Sequence, residues 1–210
     1  MSREPLIVYT VGHSTLPLED FLGVLSRNEI MVLADVRSSP YSRFNPQFNR
    51  EPLNDELRAR SISYVFLGRE LGARSDDPSC YAGGQVQYDR LAETEVFESG
   101  IERIRKGAAQ HRIALMCAER DPLECHRTIL VARKLEQNSV EIRHIVSSGQ
   151  IESHEDAMDR LIKMHGLDNG DLFRSRKEIK NEAYDKQAKV VAYTRPSETV
   201  ETLRTADGRR

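Results

Sequence analysis

Short β-rich apolar runs alternate along this chain with longer stretches of helical period, and few folds accommodate that order. The run 7–12 (IVYTVG) reads as a strand, and Leu18, Phe21, Leu22 and Leu25 then share one helical face, with Pro17 tolerated at the first turn. A second strand follows at 31–36, a short helix at 50–60 carrying Leu53 and Leu57, and a third strand at 63–67. A helix over about 89–109 turns Phe97, Ile101 and Ile104 inward, and 112–117 (RIALMC) is apolar enough for a central buried strand. The last unit is a helix over 126–137, a strand at 141–146 and a further helix at 153–164. Repeated strand-helix-strand units imply right-handed crossovers, so the expected fold is α/β and Rossmann-like: a mostly parallel sheet of about five strands with helices on both faces.

Residues 1–165 are expected to form this domain, interrupted by a long loop at 68–88 that has four glycines, one proline and no sustained period. Residues 166–210 lack a dense apolar face; they read as a peripheral helix to about 194 and a frayed tail from Arg195-Pro196. With a net charge of -2, no global basic field selects nucleic acid or an anionic membrane. The first apolar run is too short to span a bilayer and lacks the features of a signal peptide. Three cysteines, Cys80, Cys117 and Cys125, are an odd number in a chain large enough not to need stapling. Free thiols in a reducing, cytoplasmic setting are expected, with no membrane partner. No bound metal is expected, because Cys117, Cys125 and His126 lack the paired short spacings of a zinc site and adjacent side chains rarely converge on one ion. No cofactor is named by the sequence, and the oligomeric state stays open, a homodimer included.

In parallel α/β sheets, ligands bind beyond the carboxyl ends of the strands. The first strand ends in Gly12-His13-Ser14, the second in Asp35-Val36-Arg37, the third in Leu67-Gly68-Arg69-Glu70, and the fourth in Cys117-Ala118-Glu119, followed by Arg120 to Arg127. Four strand ends thus carry ionisable residues toward one edge.

Those same runs resemble the bacterial and archaeal family catalogued as domain of unknown function 488. The resemblance rests on Val11-Gly12-His13-Ser14, on Asp35-Val36-Arg37 with Pro40 and its polar-aromatic loop, on the turn from Leu67-Gly68 to Gly72, and above all on Cys117-Ala118-Glu119 with Cys125-His126-Arg127. It extends over roughly 7–150, and the stretch 184–193 is similar to the tail of longer members. Ser61 stands where the family often has glycine. The resemblance implies a Rossmann-like fold and a shared polar pocket, and it lends no activity.

The chemistry must come from the residues. Cys125 is expected to open the helix after the fourth strand, where the dipole and free N–H groups favour a thiolate and His126 and Arg127 add positive charge; the alternative is a small packed residue, with Arg127 pairing to Asp35 or Glu119. A phosphatase loop needs Cys-x5-Arg, but the sixth residue after Cys117 is Leu123 and after Cys125 is Val131. No phosphate-binding loop or dinucleotide fingerprint is present. What remains is an anion pocket: Arg37, Arg43 and Arg127 as phosphate clamps, and Asp35, Glu119 or His13 as acid-base groups. The loop 38–50 interleaves Tyr41, Phe44 and Phe48 with arginines, suited to a base or single strand, or simply to pinning the loop onto the core. Tyr81 and Tyr88 flank Gly83-Gly84 as a lid or as an ordinary turn.

The expected function is an enzyme acting on a phosphate-bearing substrate, a nucleotide or nucleic acid. His13, Asp35, Glu119, Cys125 and His126 are its candidate catalytic groups, and Arg37, Tyr41, Arg43, Phe48 and Arg127 its binding groups. The alternatives are a non-catalytic module binding nucleotide or single-stranded nucleic acid, and a redox sensor built on Cys125.

Overall fold

In the computed structural model, residues 5–168 and 174–196 are described. The first half runs β1 (Leu6–Gly12), α1 (Leu18–Arg27), β2 (Val32–Asp35), α2 (Arg50–Ala59), β3 (Ser63–Phe66), α3 (Gly68–Leu71) and the two-residue strands β4 (Tyr81–Ala82) and β5 (Gln85–Val86). The second half runs α4 (Tyr88–Ala92), α5 (Glu95–Ala108), β6 (Ile113–Cys117), α6 (Arg133–Gln137), β7 (Val140–Ile145), β8 (Ile151–Ser153), α7 (His154–Met164) and α8 (Arg176–Val191).

The main sheet has six strands in the order β3-β2-β6-β1-β7-β8. All neighbours are parallel except β8, which pairs antiparallel with β7 at the edge. The fold is therefore Rossmann-like α/β. The extra strand β8 escaped the sequence reading because three residues with alternating exposure give no apolar run.

Strand alternation divides the core between the two faces. On β1 and β6, Val8, Ile113, Leu115 and Cys117 join the side covered by α5, α7 and α8, whereas Tyr9, Val11, Ala114 and Met116 join the side covered by α1 and α2. Burial on both faces explains why β6 reads as an unbroken apolar run rather than an alternating one.

Three expectations change. The helix at 89–109 is two, because Thr94 stops the first and caps the second: its hydroxyl accepts from the Phe97 amide at 3.3 Å. The long loop is partly structured. It holds α3 and the β4–β5 hairpin, buries Cys80, and is tied to the chain after α8 by bonds from the Val86 amide to the Tyr193 carbonyl (2.9 Å) and from the Arg195 amide to the Gly84 carbonyl (2.9 Å). The helix read to about 194 ends at Val191, and α8 buries Ala183, Tyr184 and Gln187; most of the tail read from Arg195-Pro196 lies outside the described residues. Ser61 adopts φ 59°, the left-handed conformation in which glycine is unstrained.

Candidate active site at the carboxyl end of the sheet

Two glycines let the strand-end loops close on one another. A Cβ on Gly12 would lie 1.9 Å from the Glu119 carbonyl oxygen, and one on Gly68 1.9 Å from the Arg37 carbonyl oxygen. The β1 and β6 ends are stitched directly, with the His13 amide donating to the Cys117 carbonyl (3.0 Å) and the Ser14 amide to that of Ala118 (2.8 Å). Beyond Glu119, Asp121 caps the turn Pro122–Glu124 by accepting from the Leu123 amide at 2.9 Å, and its carboxylate takes both terminal nitrogens of Arg160 from α7. From α8, buried Gln187 donates to the Leu123 carbonyl at 2.9 Å. The loop that delivers Cys125 is thus held by helices that precede neither β6 nor the loop in sequence.

The candidate residues fall into two clusters. In the first, Arg37 is bound to Asp35 through Nε to Oδ1 (2.9 Å) and Nη2 to Oδ2 (2.6 Å), and donates again to the Phe48 carbonyl (2.8 Å). Asp35 has no exposed surface and also accepts from the Tyr64 hydroxyl (2.7 Å) and the Arg37 amide (3.0 Å). The His13 ring stacks on Phe48 with centroids 4.2 Å apart. Its Nδ1 lies 2.8 Å from the Ser14 carbonyl oxygen, an acceptor only, so Nδ1 carries the proton, and Nε2 receives Arg37 Nη1 at 3.3 Å. Burial, with Arg37 adding to it, lowers His13 to about 4, so the ring is neutral at pH 7. The roles read for His13 and Asp35 as bases, and for Arg37 as a clamp, meet groups already bonded to one another. Phe48 is fully buried and pins the loop to the core rather than meeting a ligand.

In the second cluster the sulfur of Cys125 lies 2.9 Å from Glu119 Oε2 and 3.8 Å from His126 Nδ1, and the sulfur of Cys117 lies 3.6 Å from the same nitrogen. All three ligand atoms fall within 4.8 Å of one another, so the expectation that neighbours Cys125 and His126 do not converge is overturned. The reason is local: Cys125 is extended (φ -138°, ψ 140°), whereas His126 already has helical angles (φ -59°, ψ -26°). That switch folds two adjacent side chains onto one point. The helix that follows opens with a wide turn, Arg127–Ala132, before α6.

Cys125 does stand at that helix start, its carbonyl accepting from the Thr128 and Ile129 amides and its sulfur from the Arg127 amide at 3.4 Å. Burial opposes ionisation of Cys125, but Cys117, Arg127 and His126 together pull it well below the ordinary thiol range. Burial pushes Cys117 well above that range. Burial disfavours a charged His126, yet Cys125 and the Val36 carbonyl raise it above the usual imidazole value, while burial and Cys125 raise Glu119.

Arg127 pairs with neither of the carboxylates read for it, Asp35 and Glu119. It is buried, and among the described residues it donates to backbone carbonyls, Nη1 to Glu119 (2.8 Å) and Nη2 to Arg120 (3.2 Å), rather than to a carboxylate.

A cleft of about 320 Å³ lies over this second cluster, lined by Cys117, Glu119 and His126 below and by Arg37, Tyr41, Arg74, Tyr88 and Tyr193 among others. His13, Asp35, Arg43, Phe48, Cys125 and Arg127 do not line it. Arg43 instead lies over the exposed Phe44 ring at 5.7 Å. Of the two lid candidates, Tyr88 reaches the cleft, and Tyr81 is tied down by its hydroxyl, which donates to the Ser75 carbonyl at 2.8 Å.

Cys117 and Arg74 are among the cleft residues that the sequence reading did not assign to a site. Cys117 ends an apolar strand and passed as core, although its place in the Cys-Ala-Glu run was a signal. Arg74, whose guanidinium lies over the Tyr193 ring at 4.5 Å, had none, because its partner is over a hundred residues away.

The sequence pattern described as Domain of unknown function DUF488 matches residues 17–134, and the chain belongs to that family. No curated protein matches the chain, and no solved structure does. Among the described residues, no helix is long and apolar enough to cross a membrane.

Proposed function

We propose that this protein is an enzyme acting on a small phosphate-bearing molecule, a nucleotide or the end of a nucleic acid, held in the cleft above Cys117, Glu119 and His126. One observation carries the reading: Glu119 and His126 share this cleft with Arg74, which among the described residues has no carboxylate partner. An arginine that no carboxylate already occupies can meet an incoming anion with charge-assisted bonds. Arg37 also borders the cleft, but its charge is already committed to Asp35, so it acts mainly as a rigid wall. Tyr41, Tyr88 and Tyr193 line the cleft and supply aromatic surface on which a base could stack. Glu119 is the acid-base group in reach of such a ligand.

Thermal unfolding of the wild type and of Arg74→Ala tests this across nucleotides, nucleosides and short single-stranded oligonucleotides. A ligand that binds only the folded state at about 100 times its Kd stabilises by about 2.7 kcal/mol. The expected result is a rise in Tm for one phosphate-bearing class, lost in Arg74→Ala and followed by turnover that Glu119→Gln abolishes. No shift with any of them would sink the reading.

A non-catalytic reading has one observation in its favour. Phe44 is 85 % exposed and Arg43 lies against it, next to Tyr41 on the cleft rim. A binding module for single-stranded nucleic acid would lose affinity in Phe44→Ser and Arg43→Ala with a steep salt dependence, and would be indifferent to Glu119→Gln.

A further inference from the structure

We propose that Cys117, Cys125 and His126 form a site for a thiophilic divalent metal ion of the zinc type, with its fourth position open to the cleft. A tetrahedral ion bound at about 2.3 Å by sulfur and about 2.0–2.1 Å by nitrogen sets those donors about 3.6 Å apart. The two sulfurs stand 3.6 and 3.8 Å from His126 Nδ1, the separations that such an ion requires.

The surroundings fit as well as the donors. His126 Nε2 lies 2.9 Å from the Val36 carbonyl, an acceptor only, so in the neutral ring Nε2 holds the proton and Nδ1 turns its lone pair toward the sulfurs. A ligating histidine whose far nitrogen donates to a carbonyl is the usual way a metal site fixes its tautomer. The Arg127 amide points at the Cys125 sulfur from 3.4 Å, a bond that favours the thiolate form. Among the described residues the buried Arg127 guanidinium hydrogen-bonds only to carbonyl oxygens, which leaves its charge without a carboxylate partner beside the cluster.

Three protein donors with one vacant position are the pattern of catalytic rather than structural zinc. Cys117 and His126 line the cleft, which gives the ion a way in and a ligand a way to reach it. Glu119, at 2.9 Å from the Cys125 sulfur and also in the cleft, stands where it can take a proton from a molecule at the open position. On binding, the ion displaces the thiol protons and any proton on Nδ1, which pass to solvent. The inference shares the cleft with the enzymatic reading but needs no phosphate-bearing substrate.

The test uses the full chain, purified reduced, stripped with a chelator, and titrated with Zn2+ against a chromophoric competitor and separately with Co2+. The expected result is one equivalent of Zn2+ per chain and, with Co2+, intense tetrahedral ligand-field bands together with a sulfur-to-cobalt charge-transfer band. Cys117→Ser, Cys125→Ser and His126→Ala should each weaken Zn2+ binding at least about a hundredfold with circular dichroism unchanged, while Cys80→Ser, which alters the one other cysteine, leaves it intact. The wild-type cobalt spectrum decides the matter even if a variant fails to fold, because the charge-transfer band requires thiolate ligands.

Absence of that band, or full Zn2+ binding retained in Cys117→Ser, would overturn the proposal. So would recovery of Cys117 and Cys125 as a disulfide whose reduced form binds no Zn2+, an outcome that favours the redox reading. Nucleotide stabilisation without zinc would leave the enzymatic reading standing alone, and zinc without nucleotide stabilisation would do the converse.

Discussion

Two polar clusters sit side by side at the carboxyl end of one sheet, and they differ in what they leave unused. In the Asp35–Arg37–His13 cluster the carboxylate meets a guanidinium, a hydroxyl and an amide, the guanidinium reaches a carbonyl as well, and both nitrogens of the imidazole have partners. In the Cys117–Cys125–His126 cluster the two sulfurs and His126 Nδ1 face one another and Cys117 and His126 line the cleft, while the Cys125 sulfur also meets Glu119 and the Arg127 amide and His126 Nε2 meets the Val36 carbonyl. Residue types alone placed members of both clusters in one candidate pocket. Pairing separates them, because a buried group that is already satisfied has to break bonds before it can meet a substrate.

The contrast can be broken at several points. The largest effect is expected from Asp35→Asn, which leaves Arg37 buried without its counter-charge and should cost about 3–5 kcal/mol in urea unfolding. A loss below about 1 kcal/mol would mean that the pair is not structural after all.

Next comes the pH dependence of His13. Burial holds it at about 4 in the folded chain against an ordinary 6.5, so between those values the unfolded chain binds a proton that the folded chain does not. Its contribution is complete above about pH 6.5 and is lost as pH falls toward about 4, of the order of 3 kcal/mol in all. His144 is likewise pushed down, by burial and by His154, and acts in the same direction. Urea midpoints between pH 4 and 7 should therefore rise with pH, and His13→Gln should flatten part of that slope; an unchanged slope would place a proton on His13 in the folded state.

Tyr64→Phe removes one hydrogen bond to Asp35 and should cost about 1–2 kcal/mol. Equal stability would show that water replaces the hydroxyl. Glu119→Gln belongs to the other cluster and should change stability least, by less than about 1 kcal/mol, while abolishing turnover of any substrate identified in the cleft. A variant that loses more than about 3 kcal/mol of stability yet keeps its specific activity when folded would make Glu119 part of the scaffold and remove the difference between the clusters.

The alternation of apolar periods by itself determined the class of fold. Strand burial on two faces produces runs like IALMC, one-sided helix burial produces the Leu18-Phe21-Leu22-Leu25 stripe, and both signals are local. The same pattern identified the strand ends, and so most of the residues that gather at the carboxyl edge. It could not rank them, because whether Arg37 and Arg127 serve a ligand or the scaffold depends on partners that are chosen in three dimensions: Asp35 and the Phe48 carbonyl for one, the Glu119 and Arg120 carbonyls for the other. Nor could spacing show that Cys125 and His126 converge on Cys117, since that follows from one extended residue followed by one helical residue. Arg74 and Tyr193 meet across the cleft only because the chain after α8 bonds back onto the β4–β5 hairpin. Periodicity records which way a side chain faces relative to its own element; what it finds there is set by the packing of elements far apart in sequence, and only the tertiary structure decides that.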